Sequence, residues 1–137
     1  MPEKPVLSRT GRWGRGLALA SGAALCWFAW LAWDDTYQID PDTGVASGPY
    51  EAWQVLGAVV TLAVLASIGA LWAGVQPTIV SLTTGFTVAW SATAAPRDET
   101  GLWLVGALLV LAGVALGSGL VTLVVTLLFG RRPSSPA

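Results

Sequence analysis

Apolar and polar positions along this chain fall into long blocks instead of alternating. Four apolar runs stand out: Leu17 to Trp33 (LALASGAALCWFAWLAW), Ala52 to Ala73, Thr78 to Ala95, and Gly101 to Gly130. None of the four contains Asp, Glu, Lys, Arg or His. About 20 such residues in a helix cross the roughly 30 Å hydrocarbon core of a bilayer. The pattern predicts transmembrane helices near 14–33, 50–73, 77–95 and 100–129. The fold class expected is an all-α membrane protein, a four-transmembrane-helix antiparallel bundle in up-down-up-down order. Short connections make the second helix a neighbour of the third, and the third a neighbour of the fourth.

The polar blocks between the runs carry turn chemistry. Ile39 to Val45 (IDPDTGV) reads as a hairpin turn: Pro41 presets φ, Asp42 favours a turn, and Gly44 can take positive φ. A short β-hairpin over Thr36 to Ala46 follows. Pro49 and Glu51 read as a helix start, with proline at the first helical position. Pro77 suits the opening of the third helix, and Pro96 ends it before a polar turn, Pro96 to Thr100. Three regions result: a basic cytoplasmic segment 1–13, a membrane domain 14–130 with an external loop 34–49, and a disordered basic cytoplasmic tail 131–137. The first run follows basic residues, as a signal peptide would. It ends in Trp-Leu-Ala-Trp instead of small residues, and Leu25 before Cys26 does not suit lipidation, so a retained signal anchor is expected.

Composition adds that 54% of residues are apolar and only 11% charged, against about 25% in a globular domain. A soluble chain this short would lack polar side chains for its surface, whereas a lipid-facing helix needs none. Charge is sorted by position. Lys4, Arg9, Arg12 and Arg15 precede the first run, and Arg131 and Arg132 follow the last. With both termini in the cytoplasm, six of the seven basic residues lie inside and seven of the eight acidic ones outside, as the positive-inside rule requires. Aromatic placement agrees: Trp30, Trp33, Tyr50, Trp53, Trp90 and Trp103 fall at outer helix ends, where an interfacial belt belongs, and Trp13 and Trp72 at inner ends. The expected location is the cytoplasmic membrane, multi-pass.

Helices in lipid associate through close backbone approach and polar contacts. Gly106, Gly113 and Gly117 fall within about 40° of one another on a helix, and Gly16, Ala20 and Ala23 share a face of the first helix. The glycine stripe reads first as packing within one chain, and secondly as an interface with another; the face of the first helix reads as helix packing. Thr84, Thr87 and Ser91, with Ser81 at the edge, form a hydroxyl face on the third helix. Such groups usually bond back to their own helix or across to another; the functional reading is a polar path. The acids Asp34, Asp35, Asp40, Asp42 and Glu51 crowd the external loop. They read as a solvated turn, a docking surface for a partner, or a weak cation site. The stretch Asp40 to Gly44 echoes the start of a calcium loop, yet the later bidentate acid is missing.

No residue set for catalysis, metal binding or phosphate binding is present. Histidine is absent, Cys26 is the only cysteine, and the serines have no base beside them in sequence. Without a paired cysteine motif the chain is unlike four-helix thiol oxidoreductases. Small multidrug exporters share its size and helix number, but their first helix carries an embedded Glu that couples transport, and here that helix has none. The basic residues flank helices and form no nucleic-acid module. The phrase DDTYQIDPDTGVASGPYEAWQV, residues 34–55, together with Gly-, Ala- and Trp-rich runs, resembles small uncharacterised four-span membrane proteins of actinobacteria. That resemblance implies a bacterial cytoplasmic membrane and brings no activity, substrate or site residue. The reading is a non-enzymatic accessory or scaffold component without cofactor, whose partners are the lipid bilayer and a larger membrane protein or further copies of itself. The alternative is a small oligomeric channel or facilitator using the hydroxyl face of the third helix.

Overall fold

The computed structural model describes residues 9–130, so the expectations for Lys4, Arg131, Arg132, the tail 131–137 and residues 1–8 of the N-terminal segment fall outside it. Four helices dominate: α1 Arg9–Trp30, α2 Ala52–Trp72, α3 Val75–Ala94 and α4 Trp103–Phe129. A two-stranded hairpin, β1 Gln38–Ile39 with β2 Ala46–Ser47, lies between α1 and α2. At 1.5 Å per residue even the 20 residues of α3 rise about 30 Å, which is the thickness of a hydrocarbon core. By length and composition α2 and α4 are apolar enough to cross a membrane. Arg9, Arg12 and Arg15 in α1, and Gln76, Pro77 and the Ser and Thr residues in α3, lower the hydropathy of these two helices, which share the most extensive interface.

Element boundaries differ from the sequence expectations for local reasons. The first helix begins by Arg9, five residues before the expected start, because hydropathy marks entry into lipid and not the start of a helix. Pro49 does not open α2. Glu51 is its N-cap, in a capping box where the Gln54 side chain accepts from the Glu51 amide at 2.6 Å. Pro77 likewise lies in the first turn of α3, not at its opening; Gly74, with φ of 97°, makes the two-residue connection from α2. The 3-10 turn Ala95–Arg97 follows α3, and α4 starts at Trp103, where Asp98 Oδ2 accepts from the Trp103 amide at 2.6 Å. A carboxylate before a helix favours it through the macrodipole and through the otherwise unpaired first amides.

Helix α3 is the hub. It packs against α1 and α4 more extensively than any other pair of helices meets, while α2 touches all three of the others. Gly16 meets Ser81 and Gly85 meets Ala20, so α1 and α3 run in the same direction. Trp30 meets Gly57 and Gly22 meets Leu65, so α2 runs against α1. Trp90 meets Gly106 and Ile79 meets Gly119, so α4 runs against α3. The pairing of α2 with α3 is sealed by Thr78 filling the notch at Gly69. The core comprises Leu19, Ala23, Cys26, Trp27, Leu31, Ala58, Ala66, Leu82, Phe86 and Ala89. Trp27 sits edge-on between Tyr50 and Phe86, with ring centroids 5.9 and 5.7 Å away.

Burial within α4 is inverted relative to a soluble helix. Its two buried residues are Ser118 and Thr122, while Leu104, Leu108, Leu109, Leu116, Leu120 and Leu127 are exposed. The second helix repeats the pattern, burying Gln54, Ala58, Ala66 and Gly69 and exposing Leu56, Val59, Val60, Val64, Ile68 and Leu71. In water the large aliphatic residues would be the ones buried.

Candidate functional site

Four of the five acidic residues of the external loop, Asp34, Asp35, Asp40 and Glu51, are engaged within the chain, and the Asp42 carboxylate is exposed. Asp40 Oδ1 accepts from the amides of Asp42 and Thr43 at 2.8 and 3.3 Å, which closes the turn that Gly44 completes with φ of 67°. Those bonds, the Asp42 amide first, hold the Asp40 carboxyl below its ordinary pKa, because they stabilise its charged form. Asp34 accepts from the Thr36 amide and, at 3.0 Å, from the side-chain amide of Gln54, which is fully buried. Glu51 accepts from the Trp53 indole at 2.6 Å. Asp35 pairs with Arg97 at 3.8 Å, an exposed pair linking this loop to the turn before α4. Among the described residues no group of three His, Cys, Asp or Glu side chains is placed to hold a metal ion.

Hydroxyls on the third helix divide between two surroundings. Ser81 and Thr84 open onto a groove between α1 and α3. The Oγ1 atoms of Thr87 and of Thr83, which the sequence reading did not single out, are buried without a hydrogen-bond partner, as is the indole nitrogen of Trp27. Ser91 is half-buried further along. Leu82, Phe86 and Ala89 fill the interior beside these groups. Elsewhere hydroxyls bond back to their own helix, as at Thr61, Ser67, Thr78, Ser118 and Thr126.

Small-residue stripes and tryptophans are also distributed. The contact of Gly85 with Ala20 is the closest backbone approach, and an added Cβ there would strike the Ala20 carbonyl. Gly16 and Ala23 lie on the same face of α1, against Ser81 and in the core respectively. On α4, Gly106 receives the Trp90 ring, whereas Gly113 and Gly117 face open space. Trp30 enters the notch at Gly57 and donates to Thr61 Oγ1 at 3.0 Å. Trp30 and Trp90 thus serve as packing knobs, while Trp33, Tyr50 and Trp53 are exposed and Trp103 is half-buried. At the opposite end Arg15 donates to the Trp72 carbonyl at 2.7 Å and stacks 5.2 Å from its ring.

Two grooves remain. The first, about 590 Å³, lies between α1 and α3 and is lined by Arg9, Arg12, Trp13, Gly16, Leu17 and Ala20 facing Pro77, Val80, Ser81 and Thr84. The second, about 530 Å³ and almost wholly apolar, lies between α2 and α4 over Leu82 and Phe86; Gly113 and Gly117 form part of its wall. Both fall within the roughly 300–1,000 Å³ of ligand-sized clefts. Sequence periodicity located the residues of each stripe, but which stripes meet depends on the parallel pairing of α1 with α3. Compared with protein-family models, curated proteins and solved structures, the chain matches none.

Proposed function

We propose that this chain is a four-span protein of a bacterial cytoplasmic membrane, with both termini in the cytoplasm, serving as a non-enzymatic accessory or scaffold component of a larger membrane complex. The inverted burial of α4 carries the reading: its leucines face outward while Ser118 and Thr122 face inward. Only lipid or another apolar helix covers such a surface without cost. Orientation follows from the basic residues before α1 and after α4 and the acidic residues between α1 and α2. The parallel course of α1 and α3 is consistent with it, since α1 and α3 then both run outward.

The scaffold reading gains support from the groove between α2 and α4. Gly113 and Gly117 are one helical turn apart and have no atom within 4 Å of an added Cβ, the arrangement through which a partner's transmembrane helix approaches closely. The channel alternative draws less support, because the hydroxyl face of α3 is split between a groove and a filled core. Native mass spectrometry of gently extracted protein, with and without Gly113→Leu and Gly117→Leu, tests the proposal. A stoichiometric second polypeptide that the double substitution releases supports the scaffold. A chain that runs alone, or a partner held equally by both forms, contradicts it.

A further inference from the structure

The groove between α1 and α3 combines charge and apolar length in a way the scaffold role does not use. Its α1 wall is Arg9, Arg12, Trp13, Gly16, Leu17 and Ala20, one helical face; its α3 wall is Pro77, Val80, Ser81 and Thr84, also one face. From Arg9 to Ala20 the groove extends about 16 Å at 1.5 Å per residue. Arg9 and Arg12 precede the first apolar run, so their end lies at headgroup level and the stretch from Trp13 to Ala20, about 10 Å, enters the hydrocarbon of one leaflet. Its far end is shut by the backbone contact of Gly85 with Ala20. Arg9 and Arg12 line the other end, and Arg15, the next basic residue, is already engaged with Trp72. Trp13, 75% exposed beside them, is an amphipathic ring of the sort that settles at headgroup level. The helix α3 begins at this end too, so the positive end of its dipole adds to the field there.

We propose that this groove holds one anionic phospholipid of the cytoplasmic leaflet, its phosphate between Arg9 and Arg12 and one acyl chain along Leu17, Ala20, Val80 and Thr84. A guanidinium pairs with phosphate through paired N–H donors, and basic clefts between helices at the cytoplasmic surface take acidic headgroups. The site rests on the membrane reading above, in which the Arg9 end of α1 is cytoplasmic. It binds lipid laterally from the bilayer, and the fixed lipid covers the groove that runs beside the contact of Gly16 with Ser81.

The test is native mass spectrometry of full-length protein in detergent micelles doped equally with phosphatidylglycerol and phosphatidylcholine. The wild type is expected to retain one phosphatidylglycerol in preference to phosphatidylcholine. Arg9→Gln with Arg12→Gln should lower that retention roughly tenfold or more. Thr84→Trp, which keeps both charges and fills the apolar half, should lower it as well; Val80→Phe serves the same purpose if Thr84→Trp does not fold. Equal retention of the two lipids, or undiminished phosphatidylglycerol on the groove-filled variants, overturns the site. Displacement of the lipid by millimolar inorganic phosphate would make it a free-anion site and also overturns the lipid assignment. A protein that stays in solution without detergent refutes the membrane reading itself, an outcome separate from these.

Discussion

A single hydrogen in place of a methyl group decides where the helices of this chain touch. At Gly85 the opposing atoms are the Ala20 backbone, which cannot rotate aside. Gly85→Ala should therefore force α1 away from α3 and cost about 1–3 kcal/mol, the usual range for overpacking. At Gly113 and Gly117, in the interior of α4, the same change meets no atom, so Gly113→Ala and Gly117→Ala should leave stability unchanged or raise it by up to about 1 kcal/mol, the helix-propensity gain of Ala over Gly. Thermal unfolding of the three variants in detergent separates these expectations. The sequence points the other way, because the regular spacing of Gly106, Gly113 and Gly117 makes them the visible stripe. Gly85 stands alone among Thr84, Phe86 and Thr87, and its importance arises only from the parallel approach of α1. Trp30 and Trp90 show the same limit: their position near helix ends is legible, but the notches they enter, Gly57 and Gly106, belong to other helices.

At the level of elements, apolar runs of bilayer length made the four helices legible, and Pro41 with Gly44 made the hairpin turn legible. Helix ends were harder to read, because the caps are built from side chains several residues away. Gln54 illustrates this: it is a buried polar residue in an apolar run, and it binds both the Glu51 amide and the Asp34 carboxylate. Gln54→Leu removes both bonds and should lower the unfolding midpoint, at a cost of about 1–2 kcal/mol. Asp98 plays the equivalent part for α4. The Thr100 hydroxyl first, then the Trp103 and Thr100 amides, hold its carboxyl below the ordinary pKa. Its folded value is depressed, so its contribution is complete above the ordinary carboxylate value, about pH 4. It shrinks as pH falls and is lost once the pH drops through the lower folded value. The protection factor of the Trp103 amide, its intrinsic exchange rate at each pH relative to the observed rate, should fall over that acidic window, and Asp98→Asn should abolish that change.

For the whole molecule, the same four helices arrange themselves by polarity. The less apolar pair, α1 and α3, share the most extensive interface, and the most apolar pair, α2 and α4, leave most of their surface uncovered. That division is the reverse of a soluble bundle, where the most apolar helices would be the most buried. It explains why the sequence, read by run length and connections, placed α2 beside α3 and α3 beside α4 but did not show the parallel pairing of α1 with α3. In the proposed four-span arrangement both loops, between α1 and α2 and between α3 and α4, lie outside while both termini lie inside. Labelling of single cysteines by a membrane-impermeant thiol reagent in intact cells tests it most directly, with Cys26→Ala as background. Asp42→Cys and Glu99→Cys should react in intact cells, and Ser134→Cys only after permeabilisation. Reaction of Ser134→Cys in intact cells, or a difference in sidedness between Asp42→Cys and Glu99→Cys, would contradict the four-span arrangement.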